Sequence, residues 1–215
     1  IQTEDRAEST LPGCPTHPAP QMTILGGDLT IKSGGSINGN TLPVIQPGSK
    51  VTHAGDILIQ LSVVGATGGN MVIEPGGVLE SNHPTTQAGG RSGNITVLAE
   101  GQIWVQADPS GTPRGRISSN AQSNVRGAFF QGCGRGEITL VATGVNAGGI
   151  AILIDGTVEM ISPSPAAEPY LGGIITMIGG GDASSITVPP FPSALTNLNP
   201  PNPPDNNARV VIGST

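Results

Sequence analysis

Charge is the first scarcity in this chain. Only 11% of its 215 residues are charged, against about 25% in ordinary globular proteins. Lys32 and Lys50 are the only lysines, and the net charge is −6. That balance disfavours nucleic acid and anionic membranes as general partners. Aromatic residues make up 2%, which argues against a broad sandwich filled by aromatic side chains. No apolar run reaches the roughly 18 residues that a membrane-spanning helix needs. His17, His53 and His83 show no metal-ligand spacing, so neither a metal nor a cofactor is expected. No paired-aspartate or other catalytic signature stands out, and the chain reads as a non-enzyme. Cysteine is limited to Cys14 and Cys133. An isolated pair in a Gly-rich, Lys-poor chain suits an oxidising, extracytoplasmic setting and suggests a disulfide. Within one chain such a closure contributes roughly 4–5 kcal/mol in the chain-entropy picture. Between chains it is a covalent link, and the sequence leaves both open. A start at Ile1 fits a processed, secreted protein.

Glycine and proline, at 33 and 20 residues, are abundant instead. The aliphatic residues are ordered in short alternating runs, each preceded by a small-residue turn. GGDLTIKSGGSIN (26–38) returns as GGNMVIEPGGVLE (68–80), SGNITVLAEGQIWV (92–105) and GGIAILIDGTVEM (148–160). Period-two alternation of this kind predicts strands. The corners carry Gly34-Gly35 and Pro75-Gly76-Gly77, where the chain must turn sharply. Residues 108–136 interrupt the pattern and hold one strand candidate, Arg116–Ser118. EITLVATGVN, GGIITMIGGG, SSITV and the terminal ARVVIGST supply further strands.

These repeats predict an all-β fold, a right-handed parallel β-helix whose coils each bury an apolar face on the next. The expected boundaries are an extended Pro-rich arm over 1–23, a solenoid over 24–188, and a Pro/Asn-rich linker with a terminal strand over 189–215. The GG-x-I-x-I grammar resembles the Gly-rich parallel β-helix domains of secreted and surface-exposed bacterial proteins, adhesins and autotransporter passengers among them. The resemblance implies an extracellular or cell-surface location and a solenoid architecture.

Five turn residues, Asp28, Asp56, Asn70, Asn94 and Glu137, are expected to stack in one column as turn caps, with a Ca²⁺ site as the competing reading. Arg91, Arg114, Arg116, Arg126 and Arg135, beside the aromatic residues Trp104, Phe129 and Phe130, are candidate contacts for an acidic polysaccharide or another subunit. A lyase would instead need Arg114, Arg116, Asp108 and Glu137 on one face. Thr30, Thr96, Thr139 and Thr176 are each single, which weakens an ice-binding array. Solenoid ends carry unpaired strand edges. Ala208, Arg209, Val210, Val211 and Ile212 are candidate subunit contacts that add a strand to a neighbour's sheet. The leading expectation is a structural subunit of an extracellular filament, sheath or appendage, a homopolymer built head to tail. The alternatives are an adhesin or carbohydrate-binding module and, behind them, a polysaccharide lyase or hydrolase.

Overall fold

Strands form where the alternating aliphatic runs lie, and every long-range pairing among them is parallel. The computed structural model describes residues 21–40, 54–64, 67–83, 92–110, 113–120, 136–160, 174–180, 186–187 and 209–214. The first coil contains β1 (Gln21–Gly26), β2 (Leu29–Ile31) and β3 (Ser36–Asn38). The second contains β4 (Asp56–Leu61), a small antiparallel hairpin of β5 (Val63–Val64) and β6 (Thr67–Gly68), then β7 (Met71–Ile73) and β8 (Val78–Glu80). The third has β9 (Ile95–Ala99), β10 (Ile103–Val105) and β11 (Arg116–Ser118). The fourth has β12 (Ile138–Ala142), β13 (Ile152–Ile154) and β14 (Thr157–Glu159). Then come β15 (Ile174–Gly179), β16 (Ile186–Thr187) and β17 (Arg209–Ser214).

Each coil visits three sheets in turn. The first sheet runs β1-β4-β9-β12-β15-β17, the second β16-β13-β10-β7-β2, and the third β14-β11-β8-β3. No helix occurs among the described residues. The layout is that of a parallel β-solenoid, with strands stacked about 4.8 Å apart.

The stacking register explains the composition. Met22, Ile57, Ile95, Ile138 and Ile175 occupy one inward position of the first sheet. Met71, Ile103 and Ile152 do the same in the second, and Ile37, Leu79 and Ile117 in the third. All these side chains are buried. Branched aliphatics fit a pleated surface and fill a narrow coil without rings. Full burial of each contributes about 1.5–3 kcal/mol.

Glycine is required at the corner between the second and third sheets. Gly34 and Gly76 have φ of 74° and 83°, where a side chain is strained. The Gly34 N–H donates to the Gly76 carbonyl, 3.1 Å away, tying one corner to the next. At the entry to the first sheet, buried Ser81 and Ser119 donate their hydroxyls to the carbonyls of Gly55 (2.6 Å) and Gly93 (2.8 Å).

Three boundaries differ from the sequence reading. β1 begins at Gln21, inside the stretch read as an arm, because Met22 and Ile24 continue the inward file. The run 55–64, read as one strand, breaks at Ser62, where the chain leaves the sheet for the β5–β6 hairpin. The terminal strand is no isolated tail. It pairs with β15 from Ile174↔Arg209 to Gly179↔Ser214, which satisfies an edge otherwise left open.

Candidate functional site

The polar turn residues form ladders between coils, and there are three of them. At the entry to the second sheet, Asp28 Oδ1 accepts the Asn70 N–H (2.9 Å) and side-chain amide (3.0 Å), and Asn70 Oδ1 accepts the Gln102 N–H at 2.9 Å. At the entry to the first sheet, Asp56 Oδ1 accepts from the Asn94 N–H (2.8 Å), and Asn94 Oδ1 from the Glu137 N–H (2.9 Å). The third ladder follows the third sheet: Asn40 Oδ1 takes the Asn82 N–H, and Asn82 Oδ1 takes the Asn120 N–H, at 2.6 and 2.7 Å. The single expected column is therefore two columns on different corners. Their bonds run to the next coil, 32 to 43 residues away, rather than closing local turns. Sequence reading missed the third column, although Asn40, Asn82 and Asn120 each follow a third-sheet strand by two residues.

Oxygens already engaged in this way are interlayer struts, and among the described residues no group of three or more His, Cys, Asp or Glu side chains gathers around a point.

Arg116 lies outward on the third sheet. Its Nη2 is 2.9 Å from Glu80 Oε2, and its Nη1 is 3.7 Å from Glu159 Oε1. Glu80 also accepts from the side-chain amides of Asn40 (2.7 Å) and Asn82 (2.9 Å), and Glu159 from that of Asn120 (3.0 Å). The guanidinium is thus occupied in bracing three coils. Asp108 and Arg114 sit on the loop between β10 and β11, closed by an antiparallel bridge between Ala107 and Arg114. The Ser110 hydroxyl and N–H both donate to Asp108 Oδ1, and these bonds hold its carboxyl below the ordinary aspartate range. Glu137 stands at the entry to β12, in another sheet. Of the four residues a lyase would need on one face, Asp108 and Arg114 share the β10–β11 loop, Arg116 opens β11 of the third sheet, and Glu137 precedes β12 of the first sheet.

Trp104 is the exposed aromatic of the described surface, at 41%. It projects from the second sheet, between Val72 and Leu153 of the adjacent coils. Its Nε1 donates to Asp155 Oδ2 at 3.0 Å. Beside the ring is an open depression of about 430 Å³, lined by Asp28, Thr30, Asn70, Val72, Gln102 and Trp104.

The outward face of the first sheet is different again. Thr23, Leu58, Thr96, Thr139 and Thr176 form one file, and Leu25, Gln60, Leu98, Val141 and Ile178 the next. Threonines that are single within their strands thus line up across coils, interrupted by Leu58, while Thr30 belongs to the second sheet.

Cys14, Cys133, Arg91, Arg126, Arg135, Phe129, Phe130, Ala208, His17 and His53 lie outside the described residues. His83 is buried, and its N–H donates to the Asn120 carbonyl at 2.8 Å. Arg209, Val210, Val211 and Ile212 lie in β17 and pair within their own chain. No family model, curated protein or solved structure matches the chain.

Proposed function

We propose that this chain is a structural subunit of an extracellular filament, sheath or surface appendage, a right-handed solenoid that lengthens by stacking on further copies. One observation carries this reading. The two ends of the first sheet are strands of equal length and direction, β1 and β17, each six residues long and each paired on one side only among the described residues. An unpaired edge is a template for another strand. Placing β17 of one copy against β1 of the next continues the same parallel pairing across the junction. Such a contact is heterologous and does not close on itself, so it generates a filament. The strand first read as reaching into a neighbour thus completes its own stack and presents its outer edge for docking. Scarce lysine and low charge suit a durable surface polymer.

Electron microscopy and sedimentation of the purified chain over a range of concentrations test the proposal. Rods whose length grows with concentration are expected. A single monomeric species under all conditions overturns it.

A second reading, a carbohydrate-binding module on the same scaffold, is favoured by the depression beside Trp104.

A further inference from the structure

Trp104 is the only tryptophan in a chain with five aromatic residues, and it is spent on the surface. A ring left in water on a strand has a reason when something flat covers it. The indole is also fixed from the next coil, by the Asp155 carboxylate at 3.0 Å from Nε1. That bond presets the ring plane before any ligand arrives, which lowers the ordering cost of binding.

The depression at its foot is built for a hydroxyl-rich molecule. Val72 and the indole contribute apolar surface to its lining. Its rim holds three polar groups with bonding capacity left. Asp28 uses Oδ1 on Asn70, and Oδ2 has no partner among the described residues. The Gln102 side-chain amide and the Thr30 hydroxyl are also without partners among the described residues. From Asp28 in the first coil to Trp104 in the third, the site spans two strand spacings, about 10 Å. An aromatic ring, some apolar surface and a few neighbouring donors and acceptors are what a small-ligand site needs.

We infer that this face of the second sheet binds a neutral polysaccharide, with one pyranose ring stacked on Trp104 and its hydroxyls bonded to Gln102, Asp28 and Thr30. The charge decides against an acidic glycan here. Among the described residues, the ionisable groups at the site are Asp28 and, behind the ring, Asp155, and no cation lines the depression. Arg116, expected to serve an acidic chain, is committed to Glu80 and Glu159 on the third sheet. The inference rests on the carbohydrate-binding reading and is independent of assembly.

The sole tryptophan makes the test direct. The intact chain is titrated with cellohexaose, xylohexaose and mannohexaose, with oligoalginate as the acidic counterpart, while indole emission is followed. Binding to insoluble cellulose and xylan is measured in parallel by pull-down. A saturable blue shift with at least one neutral sugar, and none with oligoalginate, is expected. Trp104→Ala should abolish the pull-down, and Gln102→Ala should weaken binding at least tenfold while leaving circular dichroism unchanged. If the tryptophan variant fails to fold, the glutamine variant still decides. Sugar binding that persists undiminished in both variants overturns this site and leaves the module reading standing. Silence of every neutral sugar, in emission and pull-down alike, overturns both. Preference for oligoalginate overturns the neutral assignment.

Discussion

The backbone N–H of Asn82 is capped from another coil: it donates to Asn40 Oδ1 at 2.6 Å, across 42 residues of chain. Its own Oδ1 then accepts the Asn120 N–H at 2.7 Å. Replacing Asn82 by Ala strands a part-buried donor in the coil above. The expected loss is about 1–3 kcal/mol, read as a lower urea midpoint with unchanged slope. Asn82→Asp keeps the acceptor but sets a second carboxylate against Glu80, to which the Asn82 amide donates at 2.9 Å, so it should not restore that stability while both are ionised.

Glycines divide into those pressed by a neighbour and those in open space. A Cβ on Gly136 would collide with the Gly93 carbonyl, whereas one on Gly26 meets nothing within 4 Å. Gly136→Ala should cost more than about 2 kcal/mol through overpacking against backbone. Gly26→Ala should be neutral or stabilise by about 0.4–1 kcal/mol, by restricting the unfolded chain. Paired thermal melts of the two variants distinguish these outcomes.

Arg116 braces three coils but is 40% exposed in its side chain, so its worth is modest. Arg116→Met should lower stability by about 1 kcal/mol or less at low salt, and the difference should shrink in 1 M NaCl. Denaturation curves at the two salt concentrations check this.

Asp108 offers a pH prediction with a definite sign. Its carboxyl is held below its ordinary value by the Ser110 hydroxyl first and the Ser110 N–H second. A depressed carboxylate stabilises the fold above its unfolded pKa, and that contribution disappears as pH falls through the folded value. Ser110→Ala should raise the Asp108 titration midpoint toward that of an ordinary aspartate. Carboxyl-carbon NMR titration of both proteins reads this directly.

The proposed assembly predicts that docking is blocked by changes that leave the core untouched. In the first sheet, outward-facing residues donate to the preceding coil, as the Glu100 N–H does to the Leu61 carbonyl and Thr143 to Ala99. The register aligns Thr23 with Leu58 and Leu25 with Gln60, so the N–H groups of Thr23 and Leu25 point to the open edge. Thr23→Pro or Leu25→Pro removes only that edge donor. Both variants should fold, and sedimentation should show them monomeric at concentrations where the parent polymerises.

Much of the fold was legible because the inward residues announce themselves. Leu29 with Ile31, Met71 with Ile73 and Ile103 with Val105 alternate around one outward residue, and the corner glycines Gly34 and Gly76 fall where positive φ is needed. The ladders were harder. Gly55-Asp56 and Gly69-Asn70 look alike, yet they open different sheets. The β5–β6 hairpin shifts their spacing, and only the register separates them. β17 was read as a strand but not as part of the stack, because a parallel partner lies far back in the sequence, at β15. The Trp104 depression was legible only in part: Trp104 stands out as an aromatic suited to a polysaccharide, but the sequence groups it with the arginines, and Asp28, Val72 and Trp104 come together only through stacking. The one available signal was a lone tryptophan at an outward position of a strand.

The parallel stack has a mechanical corollary. β1 and β17 stand at opposite ends of the first sheet, so tension between them acts along the axis and loads the coils in series. A force of this kind peels the terminal rung before it reaches the next. A coil folded into about 4.8 Å of axis holds some 40 residues, which extend to roughly 140 Å when released. Yielding one rung therefore lengthens the molecule many times over while the remaining rungs keep their shape. A surface fibre made of such units would absorb a pull by sacrificial unwinding at its subunit ends and rewind when the load is removed.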